Sequence, residues 1–151
     1  MDKLIFFTIA TITISFVLLS GDVLYIGLWY YIAIPAAAYL ICLPFKTEKY
    51  FLSGIAVAIV LSYSPYIIHN LFNDRAEGLS GLGHISSLPG LYSGIIVGAI
   101  YQQHHKTNKL ILFIIGLCVS LIGFLTNQFI ICNTLLYCKT LIWPLSLFTL
   151  N

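Results

Sequence analysis

Charge is what this sequence has least of, with seven basic and five acidic side chains among 151 residues. An ordinary soluble domain carries about 25% charged residues; 8% cannot solvate a particle of this size, which excludes a soluble globular fold. Disorder is excluded by the same shortage, because it needs low hydrophobicity with high charge. Scattered lysines and a net charge of +2 supply no basic face, so nucleic-acid binding is excluded as well.

Catalytic motifs are missing too. There is no nucleophile elbow, HExxH, P-loop or intramembrane aspartate pair. Gly81-x-Gly83 has no strand or following GxxG to make it a phosphate-binding turn. A quinone-reducing thiol oxidase would show a Cys-x-x-Cys pair, and none is present. His69 and His84 lack the fixed spacing of metal or haem ligands, so neither metal nor cofactor is expected.

What is present is apolar, 60% of the chain. A spanning helix needs about 20 such residues, and a charge at its centre costs several kcal/mol. The charges at Asp2, Lys3, Asp22, Lys46, Glu48, Lys49, Asp74, Arg75, Glu77, Lys106, Lys109 and Lys139 therefore parse the chain. They predict an all-α, polytopic transmembrane bundle of one domain, with five spans near 4–20, 25–45, 51–72, 88–103 and 110–131. Residues 73–87 form an outer loop, and 132–151 an outer tail lying at the interface, where Pro144 interrupts any helix. With the N-terminus inside, five Lys and Arg are cytoplasmic and two are outside, the bias expected of an integral plasma-membrane protein such as one of a bacterial inner membrane. Cleavage of the first span as a signal peptide would leave four, but 4–20 exceeds the usual h-region, and Leu18 or Leu19 would occupy the small-residue position.

Helices in lipid meet through small residues. Gly90, Gly94 and Gly98 form two overlapping GxxxG units, and Gly116, Ser120 and Gly123 add a second small face. Along the third span Ser62, Tyr66, His69, Asn70 and Asn73 lie within an arc of about 100°, and Ser120 and Asn127 continue the small face of the fifth. Polar groups in hydrocarbon turn toward protein or water. The two faces are thus expected to point inward and meet in the outer half of the membrane, as a candidate site or as interhelical hydrogen-bond glue worth about 0.6 kcal/mol per bond. Pro35 and Pro65 are expected to bend their helices.

The loop 73–87 adds Asp74, Arg75, Glu77 and His84 as candidate functional residues, since loops carry function disproportionately. Cys132 and Cys138, close together on the oxidising side, are expected to form a disulfide, whereas Cys42 and Cys118 are small hydrophobes within helices. Trp29, Tyr30 and Tyr31 fit the headgroup level. Together these features point to a non-enzymatic protein, surrounded by lipid and acting through helix contacts with a membrane-protein partner or with itself. An accessory subunit or an immunity protein against a membrane-inserting toxin would fit, and a homo-oligomeric channel or carrier is the alternative.

Overall fold

The computed structural model describes residues 2–21, 24, 26–45, 47, 50–72, 79–105 and 108–134, with the backbone alone at 69–72, 79 and 80. They form five α-helices: α1 (Asp2–Ser20), α2 (Leu28–Cys42), extended by a 3₁₀ turn over Leu43–Phe45, α3 (Phe51–Phe72), α4 (Leu79–His104) and α5 (Lys109–Thr134). Four of these stretches, α1, α2 with its 3₁₀ turn, α3 and α5, are long and apolar enough to cross a membrane. Intrahelical bonding explains how so few polar side chains are accommodated. Thr11, Thr13, Ser64, Ser86, Ser120 and Thr134 each donate a hydroxyl to the carbonyl four residues earlier, which satisfies these six donors within their own helices.

Among the described residues the helices touch in a closed ring, α1–α2–α4–α5–α3, and α3 also contacts α2 and α4 across it. α1, α3 and α5 begin at one end of the bundle, here the proximal end; α2 and α4 begin at the other, the distal end. Glycine sets how closely α4 and α5 approach. A methyl group at Gly90 would strike the Gly123 carbonyl, one at Gly94 the Val119 carbonyl, and one at Gly123 the Gly90 carbonyl. Gly98 is covered by the Phe51 ring, and Gly116 lies against the Phe51 carbonyl. The glycine ridge is therefore filled within the chain itself, antiparallel on α5.

Gly54 of α3 presses on the backbone of Phe113 and Leu117, fixing α3 alongside α5. Gly27 precedes α2 at φ 98°, a left-handed conformation that favours glycine, and its carbonyl accepts the Tyr30 N–H at 3.1 Å.

One cap joins the helices at the proximal end. Tyr50, ahead of α3, has φ 77° and no side chain able to cap the first turn. Asp2 of α1 supplies the acceptor instead, its carboxylate taking the N–H groups of Leu52 at 3.1 Å and Ser53 at 2.9 Å together with the Ser53 hydroxyl. A negative charge at a helix N-terminus complements the orphan donors and the helix dipole there. Asp2 is buried, so this cap ties the start of α1 to the start of α3.

α4 differs most from the sequence expectation. It begins at Leu79 rather than near residue 88, so 79–87 is helix and not outer loop. Glycine and serine suggested a loop, yet there they make room for neighbours: Gly81 sits against Ile26 and the Leu24 carbonyl, and Gly83 faces Tyr66. α5 likewise runs to Thr134, past the expected end near 131. α2 and α3 continue through Pro35 and Pro65, and α4 through Pro89.

Candidate functional site

His84 was expected in the outer loop. It is instead a wholly buried side chain in the distal half of α4, surrounded by three other helices of the ring, α2, α3 and α5. Tyr63 stacks on the imidazole with centroids 4.8 Å apart and planes at 16°, Tyr66 meets it edge-on at 5.2 Å, and Phe124 lies 5.1 Å away. Tyr30 of α2 completes the enclosure at 5.8 Å.

Both ring nitrogens are paired. The Tyr30 hydroxyl lies 2.5 Å from Nδ1, and the Ser62 hydroxyl 3.0 Å from Nε2. The Ser62 proton is already committed to the Ile59 carbonyl at 2.7 Å. Ser62 Oγ can therefore only accept from Nε2–H, which makes Nδ1 the acceptor of the Tyr30 O–H. Tyr30, His84, Ser62 and the Ile59 carbonyl form one directed chain that ends on backbone. A neutral imidazole satisfies it completely.

The Ser62–His84 distance suits a nucleophile and its base, but the surroundings do not. The hydroxyl proton points at a carbonyl, the second nitrogen faces a tyrosine rather than a carboxylate, and neither residue lines the cavities between α1, α2 and α3, along α4 and α5, or beside Lys3. The cavity between α1, α2 and α3 is about 10 Å³, bounded by Phe6, Thr13, Tyr31, Pro35 and Tyr63 among others, about the space of one water. The arrangement holds helices in register and offers no acyl-transfer site.

A second polar group lies one turn further along α4. Ser87 shares its proton between the Gly83 carbonyl at 2.9 Å and Gln128 Oε1 at 2.6 Å. Gln128 Nε2 approaches Cys132 Sγ at 3.8 Å. Asn127 donates to the Ser86 carbonyl at 2.8 Å, a further link between α4 and α5. Among the described residues the buried Tyr63 hydroxyl has no hydrogen-bond partner, and that of Tyr66 has none but the nearby Gln128 amide.

Of the residues singled out by sequence, Ser62 and Tyr66 are buried against His84, Ser120 is buried and bonded to the Gly116 carbonyl, and Asn127 is half-buried. The side chains of His69 and Asn70, and Asn73, Asp74, Arg75 and Glu77 altogether, lie outside the described residues. Cys132 is disulfide-bonded and Cys42 and Cys118 are free, while Cys138 lies outside the described residues. Cys42 is buried; Cys118 is exposed on the bundle surface.

Sequence reasoning missed Tyr30, Ser87 and Gln128. Tyr30 sits beside Trp29 in an aromatic run that the headgroup preference explains equally well, and Ser87 fell in the expected loop. Gln128 was legible: it continues the four-residue spacing of Gly116, Ser120 and Phe124 that forms the buried edge of α5. No family model, curated protein or solved structure matches the chain.

Proposed function

We propose that this chain is a five-span plasma-membrane protein, bacterial inner membrane being the setting its loop charges fit, with its N-terminus cytoplasmic and its C-terminus outside. It works as a non-enzymatic accessory or immunity protein through lateral contacts with another membrane protein. One observation carries the reading. Tyr30, His84 and Ser62 spend their hydrogen bonds on one another, and the chain they form terminates on the Ile59 carbonyl rather than leading to either end of the bundle. A protein with no path through it acts by its exterior, where Phe16, Trp29, Leu61, Val97 and Ile122 are exposed on successive helices. α4 is the least apolar of the five, and its polar residues are tolerated in a membrane because neighbouring helices cover them.

Photo-crosslinking amino acids placed at those five positions in native membranes test this. The reading requires a discrete protein adduct from one face of the ring. Lipid adducts alone from all five positions would contradict it. The second reading, a channel or carrier, is favoured by the buried Tyr63 hydroxyl, unpartnered among the described residues, and the weakly held one of Tyr66, which water or solute would satisfy. It requires measurable flux in reconstituted vesicles that falls with Tyr66→Phe.

A further inference from the structure

We propose that the proximal cavity beside Lys3 holds the phosphate headgroup of an anionic phospholipid, whose acyl chains lie on the exposed apolar faces of α1 and α2. The proposal rests on the membrane reading above and adds a ligand to it. The cavity has a volume of about 300 Å³ and walls of Lys3, Tyr39, Cys42, Leu43, Thr47 and Leu52. That volume is at the lower edge of ordinary ligand sites.

Its charge is the first argument. The Lys3 ammonium stands 5.7 Å over the Tyr39 ring and has no ion-pair partner among the described residues. The adjacent carboxylate, Asp2, lies near the same walls, Leu52 and Cys42, but its oxygens are consumed by the N-terminus of α3. A cation held by an aromatic face beside a hydroxyl, Thr47, is matched by a phosphate diester: the ammonium meets its charge and the hydroxyl donates to a remaining oxygen.

The second argument is what adjoins the cavity. Leu4, Phe7, Leu40 and Leu43 are exposed on the same two helices, and the Phe7 and Tyr39 rings meet at 5.3 Å. A free phosphate would use the lysine and leave this apolar strip bare, whereas a phospholipid uses both. The proximal end is also the one that the lysine distribution assigns to the cytoplasmic leaflet, where anionic lipids and basic side chains meet.

Native mass spectrometry of the full-length protein, released from detergent with equimolar phosphatidylglycerol and phosphatidylcholine, tests the site. The wild type should retain one phosphatidylglycerol about fivefold over phosphatidylcholine, the preference one lysine near an anionic surface supplies. Lys3→Gln should abolish that preference and Lys3→Arg keep it. Leu43→Trp, which fills the cavity while leaving the charge, should also abolish it, and Lys109→Gln, at the same end but outside the cavity, should not. An unchanged preference in Lys3→Gln overturns the proposal. Displacement of the lipid by inorganic phosphate at equal concentration overturns it too, because the apolar strip would then contribute nothing. Carbonate extraction separates the two levels of inference: a chain that leaves the membrane fraction refutes the membrane reading itself, while a retained chain without preference refutes the lipid site alone.

Discussion

Replacing His84 by Phe while keeping its neighbours is the perturbation whose cost the structure specifies most closely. Phe preserves the ring that stacks on Tyr63 and contacts Phe124, so the packing change is small. What is lost is hydrogen bonding. Ser62 keeps its bond to the Ile59 carbonyl and is not orphaned, but the Tyr30 hydroxyl loses the acceptor 2.5 Å away and is left buried. An orphaned buried hydroxyl costs about 1–3 kcal/mol, and interhelical bonds in membranes average about 0.6 kcal/mol. His84→Phe should therefore destabilise by about 1–3 kcal/mol. Tyr30→Phe should cost about 1 kcal/mol, since it strands Nδ1 instead. The double variant removes both partners and leaves aromatic rings of matching shape, so its cost should fall below the sum of the singles by about 1 kcal/mol, a coupling typical of residues in direct contact. Equilibrium unfolding in mixed micelles, followed by tryptophan fluorescence and far-UV circular dichroism, provides the four free energies. Strict additivity would refute the directed chain, because it would mean that Tyr30 and His84 do not share a hydrogen bond.

Three further outcomes are expected. Asp2→Ala should lower stability by about 1–2 kcal/mol through loss of the α3 cap, with Asp2→Asn recovering part of it; thermal unfolding in detergent checks this, and an unchanged midpoint would show that α3 starts without Asp2. Gly94→Leu drives a side chain into the Val119 carbonyl and should prevent a compact monomer on size-exclusion chromatography, whereas Ala36→Leu, on an exposed face of α2, should be tolerated; equal tolerance would refute close packing of α4 on α5. Maleimide should label Cys118 in the unfolded, unreduced protein and reach Cys132 only after reduction, and a reporter fused after residue 151 should be active only outside the cytoplasm; labelling of Cys132 without reductant, or cytoplasmic reporter activity, would sink the corresponding assignment.

Much of the fold was legible because charge is so scarce. Each of the five expected spans overlaps a helix among the described residues, and the ends of α1 and α3 fall close to where flanking charges suggested. The 100° step puts Ser62 and Tyr66 on one side of α3, and both are buried there, since in so apolar a helix polarity is the property that marks the inward side. Apolar residues give no such signal: Ile34 is buried and Ile32 exposed on the same helix, as expected where a chain can place apolar side chains on both its inner and outer faces.

The start of α4 was illegible for a related reason. Local propensity treats Gly81, Gly83 and Ser87 as loop formers, but within a bundle they are what allows Leu24, Tyr66 and Gln128 to approach. Misplacing that start moved His84 from the interior to an expected loop, and the centre of the polar cluster went with it. The Asp2 cap was invisible because its donors are about fifty residues away, with nothing local to Tyr50 or Ser53 to announce an external acceptor.

The proposed function turns on whether the polar cluster is a closed, dry contact or a water path. Tyr66→Cys in a chain also carrying Cys42→Ser and Cys118→Ser tests this, because position 66 lies in the cluster, against the His84 ring and facing Gly83. In sealed vesicles of both orientations, a dry cluster gives no reaction with a small charged thiosulfonate and full reaction once the protein is unfolded. Rapid modification of the folded protein from either side would contradict it.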